Sequence, residues 1–224
     1  MERQGEDMEY FIVGDVHGCY FTFRQMLDRY WNPGKEFLIL IGDLVDRGNH
    51  APETVELARS LTETLPGQVV IVKGNHDFEM TEHFRSPPNY NWLRQGGTGT
   101  IGQYAAAGRD IEQDVAWIRR LPLFWENDVL FVSHAGIAKH AQDPFNEGTA
   151  EGILWNRSQL KNLGKMQVVG HTPQEKPGFD PQSNAWYIDT GAVYGRYLTG
   201  LKVSAGGEVK ELVHIETDER DIDR

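Results

Sequence analysis

"YFIVGDVHG" occupies residues 10–18, and the order of its residue types decides how the rest of the chain is read. Four consecutive aromatic or β-branched residues suit a strand buried on both faces. Gly14 ends the run, and Asp15 and His17 follow it directly. The pattern returns downstream. "FLILI" (37–41) runs into "GDLVDRG" (42–48), and "VVIVK" (69–73) runs into "GNHD" (74–77). Between the first two runs, Phe23, Met26, Leu27, Tyr30 and Trp31 fall at helical spacing. Between the second and third, "APETVELARSLTETL" (51–65) reads as a helix, with Pro52 tolerated in its first turn. This β-α-β-α-β order predicts a parallel sheet covered by helices.

Further along, "TIGQYAAAG" (100–108) and "DIEQDVAWIRRL" (110–121) read as helices, the second lining one face with Ile111, Val115, Ile118 and Leu121. "VLFV" (129–132) is another strand. The character then changes. Residues 168–169, 185–189, 197–203 and 208–215 form short apolar runs joined by turns, and "AGG" (205–207) suggests a hairpin. The expected architecture is α/β first and antiparallel β later, with two sheets in a single domain spanning residues 1–224. The polar run 174–184 reads as a solvated connection. Residues 1–8 and 217–224 read as flexible, solvated ends.

Composition narrows the classes. The chain carries 33 acidic against 22 basic residues, a formal charge of −11, which disfavours a general nucleic-acid partner. Its apolar runs are far too short to span a bilayer, so no membrane partner is expected. The single cysteine, Cys19, excludes an internal disulfide framework and fits a reducing compartment. With a polar, acidic start and no apolar leader, a cytoplasmic location is expected.

Ligands of open α/β sheets bind beyond the carboxyl ends of the strands. Five such ends carry chemistry: Asp15 and His17; Asp43, Asp46 and Arg47; Asn75, His76 and Asp77; His134 in "SHAG" (133–136); and His171 in "GHTP" (170–173). Each has a plain reading alone: an Asx turn, a helix cap, a surface ion pair, a histidine satisfied by a hydrogen bond. Their recurrence at five strand ends outweighs those readings. Glycine precedes the polar group at four of them, where backbone must approach a crowded centre. Together they offer a mixed oxygen and nitrogen donor set, suited to manganese, iron or zinc rather than to calcium.

In this order and spacing, "GDVHG", "GDLVDRG", "GNHD", "SHAG", "LWNR" (154–157), "VVGHTP" (168–173) and "YIDTGAVYGRYLTGL" (187–201) resemble the PPP family of metallophosphatases, in particular the short bacterial and phage serine/threonine protein phosphatases. The resemblance runs from about Phe11 to Leu201. It implies a calcineurin-like metallophosphoesterase fold, a two-sheet β-sandwich flanked by helices (α/β/β/α). It also implies two divalent ions, manganese first, with iron, zinc, nickel or magnesium as options. Asp15 and His17 would hold the first ion, Asp43 would bridge, and Asn75, His134 and His171 would complete the second. A hydroxide bridging the ions would attack phosphorus directly. His76, paired with Asp46, would protonate the leaving group. Arg47, Arg157 and Asn75 would bind the phosphoryl oxygens. The implied substrate is a phosphoprotein or phosphopeptide bearing phosphoserine or phosphothreonine, and phosphotyrosine as an extension.

Two departures bear on that reading. Protein phosphatases of the family usually read "GNHE", whereas Asp77 gives "GNHD", a form found in diadenosine tetraphosphate hydrolases, which are the alternative. Against them stands Asp46, where the symmetrically cleaving hydrolases typically carry alanine. Pro173 replaces the second histidine of nuclease relatives. A catalytically inactive phosphopeptide-binding scaffold would have lost a ligand or the acid, and none is missing. Cys19 is expected to be a packed residue rather than a nucleophile. His50, His83, His140 and His214 match no motif and are expected to be exposed. Trp92 and Leu93 suit either a substrate groove or the core, and 138–152 reads as a variable surface loop that could set substrate preference.

Overall fold

The computed structural model describes residues 8–223. Strand β1 (Glu9–Val13) is followed by α1 (Tyr20–Tyr30), β2 (Glu36–Leu40), α2 (Ala51–Thr64), β3 (Val69–Ile71) and α3 (Asn75–Arg85). A short helical turn α4 (Tyr90–Trp92) leads through a π-helical turn (Leu93–Gly97) into α5 (Thr98–Ala107), and α6 (Ile111–Ile118) follows. The remaining strands are β4 (Phe124–Glu126), β5 (Leu130–Ser133), β6 (Met166–Val169), β7 (Gly178–Asp180), β8 (Ala185–Tyr187), β9 (Tyr197–Val203) and β10 (Val209–Glu216).

The strands form two mixed sheets, ordered β10-β9-β1-β2-β3 and β4-β5-β6-β8-β7. Strands β1, β2 and β3 are parallel, as are β5, β6 and β8. Period-2 alternation explains the layering. Phe11, Val13, Leu38 and Leu40 point from the first sheet into a core with Phe23, Met26, Val55 and Ala58 of α1 and α2. The intervening Ile12, Ile39 and Ile41 point the other way, against Leu130, Val132, Val168 and Ile188 of the second sheet. A strand buried on both faces must be apolar throughout, which is why these runs show no polar alternation. The outer face of the second sheet is covered by Ile137, Ile153 and Leu154 around Phe131, with Phe78 of α3 packed alongside.

Some expectations are corrected. The connection 174–184 contains β7, which pairs antiparallel with β8 and puts Phe179 against Trp186, 5.4 Å apart. Residues 217–223 do not fray: Asp218 caps a 3₁₀ turn over Glu219–Asp221, and Asp221 is buried. Its carboxylate finds partners on α1, so the acidic composition that suggested a solvated end is misleading there. For residues 1–8, the expectation falls outside the described residues except at Met8. His140 and His214 are exposed, but His50 and His83 are only partly so, His83 because its ring packs 4.9 Å from Trp92. Cys19 is buried.

Candidate metal centre

The parallel strands of both sheets deliver their carboxyl ends to one place. Asp15 and His17 follow β1, Asp43 follows β2, and Asn75 and His76 open α3 just beyond β3. His134 follows β5 and His171 follows β6. All seven side chains are buried. Glycine is needed at two of these ends because a side chain there would collide with a carboxylate: a Cβ on Gly74 would strike Asp43, and one on Gly170 would strike Asp15.

Hydrogen bonds aim the side chains inward. The His17 Nδ1–H donates to the Val45 carbonyl at 3.0 Å, leaving the Nε2 lone pair 3.2 Å from Asp43 Oδ2. The His134 Nδ1–H donates to the Ile41 carbonyl at 2.9 Å, so its Nε2 lone pair faces Asn75 Oδ1 at 2.9 Å and Asp43 Oδ2 at 3.5 Å. His171 Nδ1 lies 2.9 Å from the same amide oxygen. Asp43 accepts from the His76 backbone N–H, and Asp15 Oδ2 accepts from that of His171. Asp15 Oδ1 is buried with no hydrogen-bond donor.

Electrostatics sort these groups into donors for a cation. Burial pushes His17 and His171 down to about 3, and burial also lowers His134, so all three rings are neutral at pH 7. Burial opposes ionisation of Asp43, yet the surrounding His134, His17 and His76 hold its carboxyl below the ordinary range. Burial, with Asp189 and Asp43 nearby, raises Asp15. Neutral imidazoles, carboxylates and an amide oxygen converging with their lone pairs inward, plus an orphaned carboxylate oxygen, fit divalent cations. Asp15, Asp43 and His134 offer ligand atoms mutually within 4.8 Å, and so do His17, Asp43 and His76.

His76 is held differently. Its Nδ1 lies 2.6 Å from Asp46 Oδ2. Burial works against the charged ring, but Asp43 and the hydrogen bond to Asp46 outweigh it and raise the pKa. The ring is fixed with Nε2 free for another partner. Asp46 is itself saturated: Trp92 Nε1–H donates to Oδ2 at 2.8 Å and the Thr100 hydroxyl to Oδ1 at 2.6 Å. Trp92 thus belongs to the core while its polar edge holds Asp46, the partner of His76. The π-helical turn brings it there, and Gly96 at φ 137° lies against Asp46 and Arg47. Trp92→Phe keeps the apolar bulk and removes one donor to a buried carboxylate. A hydrogen bond to a charged group is worth about 1.5–3 kcal/mol. The expected result is roughly a ten-fold lower rate of metal-dependent phosphoester hydrolysis, with divalent-metal binding unchanged in a titration.

Arg47 and Arg157 are the exposed members of the set. Arg47 Nη1 donates to His17 Nε2 at 2.8 Å, and its guanidinium lies 5.9 Å from the centre of the exposed Tyr194 ring. Arg157 Nε lies 3.2 Å from His171 Nε2. Two guanidinium groups therefore sit at the solvent mouth above a buried donor cluster. Asp77 serves the backbone, accepting from the Leu44 and Gly74 N–H groups at 2.9 Å each.

Two features escape motif reading. Asp189, just beyond β8 and inside the quoted 187–201 stretch but given no role there, is an acid at a sixth strand end; burial, then Asp43, raise it to about 6, while the Gly191 N–H bond opposes. Its signal is the apolar run before it, with the glycine after rather than before. The second is backbone strain. Among the described residues, six other than glycine have positive φ, and five of them are His17 (47°), Asp43 (51°), Asp46 (72°), Arg47 (71°) and His171 (67°). Residues other than glycine rarely adopt this region, and those that do cluster at functional sites.

Comparison with known proteins agrees with this layout. The calcineurin-like phosphoesterase family model matches residues 8–193. Serine/threonine-protein phosphatase 1 of Salmonella typhimurium is 29% identical over 207 residues, covering 86% of this chain and 91% of that protein. An asymmetrical bis(5'-nucleosyl)-tetraphosphatase of Bacillus cereus is 30% identical over 227 residues, covering 87% and 90%. A protein serine/threonine phosphatase from Saccharomyces cerevisiae shares the fold with a TM-score of 0.70 at 16% identity, over 97% of this chain and 82% of that one.

Proposed function

The chain belongs to the calcineurin-like phosphoesterase family, and from that premise we propose that it is a phosphomonoesterase acting on phosphoserine or phosphothreonine in proteins, with manganese as its metal. The observation that carries this reading is the Asp46–His76 pair at 2.6 Å, buried and backed by Trp92 and Thr100. An alkoxide of serine or threonine is a poor leaving group and needs a proton as it departs. A histidine held in one orientation and biased toward imidazolium supplies it.

The tasks then divide among the residues, with Asn75 serving two of them. Asp15, His17, Asp43, Asn75, His134 and His171 would hold the two ions. Bound there, divalent ions supply Lewis acidity and a water activated near neutral pH. Arg47 and Arg157 receive the phosphoryl oxygens from solvent, their planar forks matching that geometry. Asn75 adds an amide to the same pocket. His76 gives its Nε2 proton to the leaving oxygen, and Asp46 steadies the imidazolium before the transfer. A hollow of about 150 Å³ beside Arg157, lined also by Ser158, Thr172 and Tyr187, offers room for the residue next to the phosphate.

Hydrolysis of a bis(5'-nucleosyl) tetraphosphate is the second reading, favoured by the Bacillus cereus relative and by the "GNHD" sequence. The geometry of Asp77 weakens the latter argument, because that carboxylate bonds two backbone amides and is fully buried. The deciding measurement compares kcat/KM for phosphoserine peptides and diadenosine tetraphosphate at one manganese concentration. At least a ten-fold preference for the peptide is expected, and a preference for the dinucleotide would overturn the proposal.

A further inference from the structure

The C-terminal turn lies against the loops that carry His17 and Asp43, and its contacts are specific. Helix α1 begins shortly after His17 without a side-chain cap, because its N-cap residue is Cys19. The first amides of a helix need acceptors. Asp221 supplies them from 199 residues away. Its carboxylate accepts from the Phe21 N–H at 3.0 Å, the Thr22 N–H at 2.8 Å and the Thr22 hydroxyl at 2.6 Å. The backbone carbonyl of the same residue accepts from the Asn49 N–H at 2.8 Å. The neighbouring Arg220 carbonyl lies 3.0 Å from His50 Nε2, and Arg220 stacks its guanidinium 3.6 Å from the centre of the Phe21 ring.

The two loops held this way are the ones that carry His17 and Asp43. Backbone bonds join them directly: His17 N–H to the Asp43 carbonyl at 2.7 Å, Gly18 to Leu44 at 2.9 Å, Gly48 to His17 at 3.0 Å, and His50 to Gly18 at 3.1 Å. His17, Asp43, Asp46 and Arg47 all have positive φ, so their backbone relies on these bonds to stay in place. A charged acceptor that caps α1 with its side chain and grips Asn49 with its main chain pulls both loops to one point.

We propose that Asp221 is a positioning residue for the half of the metal centre built on His17 and Asp43, acting through the start of α1 and through Asn49. This inference rests on the metal-dependent reading of the site. It differs from a merely structural role in one respect: loosening the contact should weaken cation binding beyond what lost stability alone would do.

The test measures manganese binding directly, from the electron paramagnetic resonance signal of the free ion, alongside melting temperature and turnover of p-nitrophenyl phosphate. Asp221→Asn keeps the shape but opposes an amide N–H₂ to the α1 donors. Thr22→Val is milder: it leaves the Asp221 bonds to the Phe21 and Thr22 N–H groups in place and removes the hydroxyl's donation to Asp221 together with its acceptance from the Asp218 N–H. Val203→Ala, in the core at the opposite end of β9 from the site, is the control for lost stability. Asp221→Asn is expected to raise the manganese dissociation constant about ten-fold, the lower end of the effect of removing outer hydrogen bonds around a metal. Thr22→Val is expected to raise it about two- to three-fold, and it decides the question by itself should Asp221→Asn not fold. Val203→Ala should lower the melting temperature without moving the constant. An unchanged constant in the Asp221 and Thr22 variants, or an equal rise in Val203→Ala, overturns the proposal. A wild-type chain that binds no manganese overturns it together with the metal reading. A chain that binds manganese yet turns over no phosphomonoester defeats the functional reading alone, and the binding data still decide the role of Asp221.

Discussion

Asp43→Asn is expected to abolish metal-dependent turnover and, with it, the thermal stabilisation expected of the wild-type chain in manganese. Asp43 stands at the centre of the donor set: Oδ2 lies 3.2 Å from His17 Nε2 and 3.5 Å from His134 Nε2, and Oδ1 accepts from the His76 N–H. A carboxylate, with its charge shared over two oxygens, would serve two cations far better than the neutral amide that replaces it. The amide keeps the volume and an acceptor for His76, so the fold should survive. The wild type at a metal concentration of about 100 Kd gains roughly 2.7 kcal/mol from linkage. At about 2–4 °C per kcal/mol for a domain of this size, that is a rise of roughly 5–10 °C. Melting curves with manganese and with chelator read this out. A variant that keeps turnover within about ten-fold of wild type would remove Asp43 from the bridging role.

His76→Asn should separate proton transfer from metal binding. The side chain is not needed to hold Asp43, since the contact comes from the backbone N–H. The expected loss is about 10²–10⁴ in kcat on a phosphoserine peptide, the usual worth of a positioned general acid. The loss should be smaller for p-nitrophenyl phosphate, whose leaving group departs without a proton. Manganese should still raise the melting temperature. Loss of that metal response would mean that His76 is a ligand, and equal losses on both substrates would mean that it is not the acid.

How much of this was legible depends on the distance over which each feature is encoded. The five strand ends are local signals: an apolar run, a glycine or serine, then a ligand type within two or three residues. The parallel pairing of β1, β2 and β3 followed from the same runs, but the later strands read as antiparallel and β5, β6 and β8 instead pair in parallel. The three-residue strands β4 and β7 are too short to show a period. Trp92 and Thr100 reach Asp46 across 46 and 54 residues, and nothing near them in the chain announces that destination. Asp189 obeys the strand-end rule with its glycine displaced. Asp221 was the most misleading, because a run of charges at a chain end ordinarily means solvent, and here one of them answers the unsatisfied amides of a helix far upstream.

The left-handed backbone at His17, Asp43, Asp46, Arg47 and His171 has a consequence for the history of the molecule. Glycine could occupy each of those conformations without the steric penalty, which for other residues is about 1–3 kcal/mol apiece. A lineage kept only for its shape would be free to drift toward glycine or asparagine there and would become more stable by doing so. This chain instead carries two histidines, two aspartates and an arginine at five strained positions. Strain of this kind is tolerated where the side chains have a task at that spot, which weighs against reading the site as an inert scaffold.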